Sequence, residues 1–286
     1  MQVVPVVADA QLPWRLSEGH FDFAFNLAEG TGRRCREAIP AAVCELLSLP
    51  FTGPDALTLA ITLDKFIAKR VVAPDVPVPR SVLIESDRDD EQLDRLVYPV
   101  IAKPNDEGSS KGIRDNPICP DAAAAAKRVQ WLRTEYGCPV LVEEFLPGAE
   151  VTIAVAGNAP DERILGMMEV APVSDREPFV YSIEVKRDWT RHVCYHVPPR
   201  LGAHTIDTLR GYALRSYRLL GCRDLARIDF RLDGNGMPHF MECNPLPGLD
   251  PITSDIVMMS KSYLAYDDLI QGVLLDAMRR TGVSRR

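Results

Sequence analysis

Residues Ala226–Gly248 read ARIDFRLDGNGMPHFMECNPLPG, and their pattern decides the architecture of the chain. ARIDFRL alternates, so Arg227, Asp229 and Arg231 share one face of a strand while Ile228 and Phe230 share the other. DGNGMP supplies two glycines and a proline, the chemistry of a turn. HFMECN alternates again and sets Phe240, Glu242 and Asn244 on one face. The expected object is a β-hairpin whose polar faces meet, bringing two carboxylates, an amide and a guanidinium together. Carboxylates that close raise each other's pKa, so a cation must hold them ionised. Arg227 does this in part. A hard divalent metal does it better, because Asp229, Glu242 and Asn244 offer only oxygen ligands. The plain rival is a solvated hairpin face with an incidental salt bridge.

The rest of the chain bears on that choice. Its 286 residues suffice for two domains or a three-lobed enzyme, and 46% hydrophobic with 26% charged residues is ordinary for a globular protein. The sequence shows no apolar run of bilayer length and no basic-then-apolar opening, so no membrane partner and a cytoplasmic location are expected. Seven scattered cysteines without a CxxC pattern read as reduced thiols. A net charge of −7 argues against nucleic acid as partner, while leaving room for a phosphorylated ligand in a local basic pocket.

Three regions emerge. Residues 1–64 read as a short α/β lobe, with strand-like QVVPVVA and FDFAFNLAEG and a helix at REAIPAAVCELLSL. Residues 65–150 read as a central lobe: helix DKFIAKRVVA, strands SVLI and YPVIAKP, loop NDEGSSKGI, an Ala-rich helix from Asp121, and strand PVLVEEFL. Residues 151–286 hold strands EVTIAVAG and RILGMMEVAP, a polar loop through Trp189, a long helix from about Ala203, the hairpin and a final helix. Helices and strands mix without strict alternation, so the fold class is α+β or mixed α/β.

IAKPNDEGSSKGI is the strongest stretch after the hairpin. A strand delivers Lys103, and a loop of small residues with Ser109 and Ser110 offers N–H and O–H donors to phosphate oxygens. The spacing is not that of a Walker A motif. VLVEEFLPGAE carries Glu143, Phe145, Leu146 and Glu150 where a strand runs into a turn, a plausible edge for a base and a ribose. FVYSIEVKRDW presents Lys186 on a polar segment able to close over phosphates, although from sequence alone a surface loop with ordinary charges is the better reading. The histidines at 20, 192, 196, 204 and 239 lack metal spacing apart from His192 and His196, which read as strand.

Taken in order, these pieces resemble the ATP-grasp ligases, and within them the D-alanine–D-alanine ligase group. The matching segments are FNLAEG, REAIPAAVCELLSLPFTGPDALTLAITLDKFIAK, VIAKPNDEGSSKGI, VEEFLPGAEVTIAV, EVK and the hairpin, together spanning roughly residues 22–275. The resemblance implies an ATP-grasp fold, two α+β lobes gripping ATP behind a short Rossmann-like N-terminal lobe. It implies that Lys65 and Lys103 hold ATP phosphates, that Ser109 and Ser110 cover the phosphates and the acyl site, and that Lys186 reaches the terminal phosphate. Glu143 with Phe145 and Leu146 would border the adenine, and Glu150 would hold the ribose. Asp229, Glu242 and Asn244 would bind two Mg²⁺ ions, with Mn²⁺ as a substitute. Arg227 would stabilise the transition state and Gly248 would donate its N–H to the oxyanion. The reaction implied is amide formation between a carboxylate and an amine through an acyl phosphate, with small amino acids or carboxylates as substrates and a homodimer as the assembly.

Departures from the family pattern concern the substrates. The opening MQVVPVVADAQLPWRLSEGH lacks the family's Gly-rich loop with its Ser and Glu, so the first lobe is expected to be abbreviated. Arg187 stands where the family often has Tyr, and DPITSDIV follows the hairpin where a Ser- and His-containing run is usual. Thr253 or Ser254 could supply the hydroxyl that contacts the second substrate's carboxylate, or Asp250 and Asp255 could select an amine. These features favour a specialised amide ligase over a cell-wall D-alanine–D-alanine ligase. A non-catalytic ATP-binding regulator and a kinase-like or thiol-ligating enzyme are the remaining alternatives.

Overall fold

The computed structural model describes residues 2–32, 34–108, 112–113, 117–173, 179–180, 182, 185 and 188–283. In chain order the elements are α1 (Leu12–Glu18), α2 (Ala38–Leu46), α3 (Ala56–Leu63), α4 (Lys65–Val72), β1 (Ser81–Ile84), a 3-10 segment (Asp87–Arg95), β2 (Val100–Pro104), β3 (Ile118–Cys119), α5 (Ala122–Tyr136) and β4 (Val140–Glu144). Then follow β5 (Glu150–Ala156), β6 (Arg163–Pro172), α6 (Trp189–His192), β7 (Val193–His196), α7 (Ala203–Leu219), β8 (Leu225–Leu232), β9 (Pro238–Asn244), α8 (Asp255–Ser260) and α9 (Tyr266–Thr281).

Local chemistry sets the helix limits. Asp55, Asp64 and Asp121 cap α3, α4 and α5 by accepting the N–H of Thr58, Ile67 and Ala124 at 3.0, 3.0 and 2.8 Å. Asp64 thereby ends one helix and starts the next, which turns Lys65 inward at the head of α4. Gly137, with φ +57°, terminates α5 in the left-handed conformation.

Two antiparallel sheets form among the described residues, in the orders β1-β4-β2-β3 and β7-β6-β5-β8-β9. In the first, Val100, Ala102, Val140 and Val142 pack on α5 residues Ala125, Val129 and Leu132. The opposite face carries Lys103 and Glu143, because Glu143 pairs with Ile101, two residues before Lys103. In the second sheet Val151, Ile153, Val155, Ile228, Phe230 and Phe240 form a core with Leu209, Ala213 and Tyr217 of α7. The other face holds Ala154, Ala156 and Met168 against α8 and α9 at one end. At its other end it carries Glu150, Thr152, Asp229 and Arg231, side by side through the pairs Glu150↔Arg231 and Thr152↔Asp229.

Within the first 64 residues neither strand-like run of the expected short α/β lobe forms a strand. Residues 2–8 form no strand, and Val3, Val4 and Val7 stand exposed with no strand beside them among the described residues. The run at 21–30 contributes one isolated parallel bridge, Ala24 to Phe51. This region is fastened to the rest through Asp224, which accepts the Gly53 N–H at 2.8 Å and Arg280 Nη2 at 2.7 Å. No helix among the described residues is long and apolar enough to cross a membrane.

Candidate active site

β8 and β9 form the expected hairpin, with Arg227 opposite Asn244 and Asp229 opposite Glu242. One expectation fails. A β-bulge follows Asp229↔Glu242, so the next pair is Phe230↔Phe240 and Met241 is the extra residue. Phe240 therefore lies in the core, edge-on to Phe230 at 6.2 Å between ring centroids, and not beside Glu242 and Asn244. Strict alternation would have put a phenyl ring beside Glu242 and Asn244. The bulge separates them.

Arg227 donates Nε and Nη2 to Asp229 at 3.1 and 2.9 Å and Nη1 to Asp255 at 2.9 Å, with Glu242 at 3.9 Å. Thr152 Oγ1 donates to Asp229 at 3.0 Å. Glu242 faces Lys65 Nζ at 3.5 Å and keeps 30% of its side chain exposed. Asn244 Oδ1 accepts the Leu246 N–H at 3.0 Å, which fixes the amide over the turn toward Gly248. A methyl group at position 248 would come within 3.2 Å of Ser254 Oγ, so the backbone there runs close to α8.

Lys103 Nζ lies 2.6 Å from Glu143, a carboxylate with no exposed surface. Lys69 is a site residue that the sequence reading missed. Its Nζ lies 3.1 Å from the other oxygen of Glu143 and donates to the carbonyls of Phe240 and Met241 at 3.1 and 2.7 Å. It thus ties the hairpin bulge to the first sheet. Four residues before it on α4, Lys65 donates to the Glu107 carbonyl at the entrance of the glycine–serine loop. Spacing of four on a helix gives a shared face, the signal that could have found Lys69.

Glu150 and Arg231 occupy the far end of the same cavity. Arg231 donates to Glu150 at 3.2 Å, to the Leu146 carbonyl at 2.6 Å and to the Phe179 carbonyl at 2.6 Å, and lies 4.9 Å from the Phe145 ring. The cavity is lined from one end to the other by Phe145, Leu146, Glu150, Arg231, Glu143, Lys103, Lys65, Asp229 and Glu242. Of the residues expected from sequence, it gathers all of these except Arg231, which the sequence reading did not assign to the site, along with Arg227 and Asn244 on the adjoining strand face. Ser109, Ser110 and Lys186 lie outside the described residues.

Protonation follows from burial set against charge. Burial pushes the Glu242 carboxyl up, but Lys65, Lys103 and Arg227 together outweigh it and pull it down to about 2. For Asp229 burial and the nearby Glu242 prevail over Arg227, and its pKa rises. Burial pulls Lys69 down to about 8, more than Glu143 restores. On Lys103 burial acts downward too, but Glu143 and Glu242 win and its pKa rises. Two carboxylates and an amide oxygen on one face, with Glu242 ionised and open, fit a hard divalent cation. The lysines fit phosphate oxygens.

Comparison with known proteins adds the following. A family model described as D-ala D-ala ligase C-terminus matches residues 75–275. A D-alanine–D-alanine ligase of Bordetella avium is 32% identical over 256 residues, covering 86% of this chain and 75% of that protein. An uncharacterised protein of Sinorhizobium fredii is 31% identical over 257 residues, covering 90% of this chain and 74% of that one. The crystal structure of the Bacillus anthracis D-alanine–D-alanine ligase complexed with ATP superimposes with a TM-score of 0.76 at 20% identity, covering 98% of this chain and 87% of that one. That likeness places the fold among the ATP-grasp ligases.

Proposed function

This chain belongs to the D-alanine–D-alanine ligase family, and on that premise we propose how its residues join a carboxylic acid to an amine. It is an ADP-forming ATP-grasp ligase that uses ATP and Mg²⁺. The base lies at Phe145 and Leu146, the ribose at Glu150, and the phosphates over Lys65 and Lys103. Glu143 acts beneath them, fixing Lys103 and Lys69 in place. Asp229, Glu242 and Asn244 hold Mg²⁺. When bound, the metal neutralises charge on the transferring phosphoryl oxygens.

An oxygen of the donor carboxylate attacks the γ-phosphorus, the bond to the bridging oxygen breaks, and ADP leaves with the electron pair. The product is an acyl phosphate. The amine nitrogen then attacks the acyl carbon, the carbon–oxygen bond to phosphate breaks, and the nitrogen gives up a proton. Arg227, oriented by Asp229 and Asp255, faces the charge that develops in both steps. The Gly248 N–H supports the tetrahedral oxyanion. Loss of one such donor typically costs about 3–4 kcal/mol in the barrier.

The observation that carries this reading is the cross-strand pair Asp229↔Glu242, set between Arg227 on one side and Lys65 on the other. The test is isotopic. A panel of carboxylates labelled with ¹⁸O is supplied with ATP, Mg²⁺ and amines. The reading predicts one ¹⁸O in the released phosphate for each amide formed. Amide formation with unlabelled phosphate would rule out the acyl phosphate.

A further inference from the structure

β9 is the last strand of its sheet, so its outer edge meets no other strand among the described residues. The chain in and after α4 takes that place. The Phe240 N–H donates to the Pro77 carbonyl at 2.8 Å. In a regular strand successive carbonyls point to opposite edges, but the bulge turns two consecutive ones the same way. Lys69 Nζ takes both, donating to Phe240 at 3.1 Å and to Met241 at 2.7 Å.

An ammonium has three protons to give. The third contact of Lys69 is Glu143 at 3.1 Å, and its side chain is 2% exposed. All its donors are spent on the protein, which leaves none for a phosphate oxygen. Lys65, one turn earlier on α4, is placed differently. It lines the cavity and faces Glu242 at 3.5 Å, while Arg227 faces the same carboxylate at 3.9 Å. Those two cations act on Glu242 directly. Lys69 reaches it through the backbone. The Met241 carbonyl and the Glu242 nitrogen belong to one planar peptide unit, so the 2.7 Å bond fixes the plane from which the Glu242 side chain departs.

We infer that Lys69 is a positioning residue for the metal: by clamping the two bulge carbonyls to Glu143 it aims the Glu242 carboxylate at the Mg²⁺ site, while touching neither metal nor nucleotide. This inference rests on the ligase reading above, in which Glu242 binds Mg²⁺. Groups that orient a metal ligand typically matter about 10–100-fold in metal affinity. Charge alone predicts the opposite sign, because Lys69 repels a nearby divalent cation and its removal would strengthen metal binding. A weaker metal after its removal therefore reports geometry.

The test needs no turnover. Calorimetry gives the affinity of the full chain for the non-hydrolysable analogue adenylyl imidodiphosphate, once with Mg²⁺ and once with EDTA. The ratio of the two affinities is the gain due to the metal. Lys69→Met should lower that gain about tenfold. Lys69→Gln, which keeps an amide donor for the carbonyls, should lower it less and serves if Lys69→Met does not fold. Val72→Ala loosens the core side of the same helix without touching the bulge, and its gain should stay at the parent's value. An unchanged or larger gain in both Lys69 variants, or an equal fall in Val72→Ala, would overturn the inference. So would a loss of affinity in EDTA with the gain intact, since that is the mark of a phosphate contact. Glu242→Gln separates the two levels of the account. A gain lowered by Glu242→Gln but not by the Lys69 variants removes this inference alone. A gain that Glu242→Gln leaves in place removes the metal reading, and this inference with it.

Discussion

Glu143→Gln keeps the shape of a side chain and removes the negative charge that two buried ammonium groups share. Lys69 and Lys103 lie 3.1 and 2.6 Å from its two oxygens, and none of the three side chains is more than one tenth exposed. Removing one partner of a buried ion pair costs about 3–5 kcal/mol, because the charge left behind stays out of water. Here two such charges are left, and they also repel. Lys69→Met alone should cost less, about 1–2 kcal/mol. The Lys103–Glu143 pair survives it, the carbonyls of Phe240 and Met241 lose a donor, and the desolvation that already pulls Lys69 down to about 8 is relieved. The double variant should therefore be more stable than Glu143→Gln by itself, with a coupling of at least about 2 kcal/mol. Urea unfolding of the parent, both single variants and the double variant gives the cycle, provided the slope with denaturant is unchanged. Additivity within about 0.5 kcal/mol would refute the claim that Lys69 and Glu143 form one buried unit.

Other substitutions reach the site by different routes. Asp229→Asn and Glu242→Gln should each lower turnover about 10²–10³-fold while leaving unfolding midpoints near the parent, as read from ADP release across an Mg²⁺ titration. Arg231→Met should raise the KM for ATP about tenfold or more, because Glu150 and the Leu146 carbonyl lose a charged donor, and steady-state kinetics will show it. Stability should also depend on pH through Lys69. Its folded pKa of about 8 lies below the ordinary 10.5, so between those values the unfolded chain binds the extra proton and stability rises with pH. Relative to Lys69→Met, the parent should gain on the order of 3 kcal/mol across that window. Unfolding midpoints at pH 7.5 and 10 measure the difference, and parallel profiles would contradict it.

The hairpin was legible because alternation is a strong signal where one face is buried: Ile228 and Phe230 point to the core and Asp229 to the cleft. The bulge at Met241 was not, since an inserted residue leaves no mark in a two-residue period. Phe240 was thus assigned to the candidate ligand face, yet a phenyl ring grouped with two oxygen-bearing polar side chains was itself a hint of broken register. Lys69 was hidden in an amphipathic helix, where a lysine ordinarily faces water, and its value depends on Glu143, 74 positions away. Asp255 was read as a candidate for amine selection, but its contact with Arg227 joins residues 28 apart and only folding reveals it. The opening valines mimicked a strand by composition. A strand also needs a neighbour, and residues 2–8 have none among the described residues.

The central claim is that Asp229, Glu242 and Asn244 together hold the metal that accompanies the terminal phosphate. Anomalous diffraction from crystals grown with Mn²⁺ and a non-hydrolysable ATP analogue addresses it directly. Metal peaks are predicted about 2.2 Å from oxygens of all three side chains and in contact with the analogue's phosphates. Peaks elsewhere, with Glu242 still turned to Lys65 and Asp229 still closed on Arg227, would contradict the account.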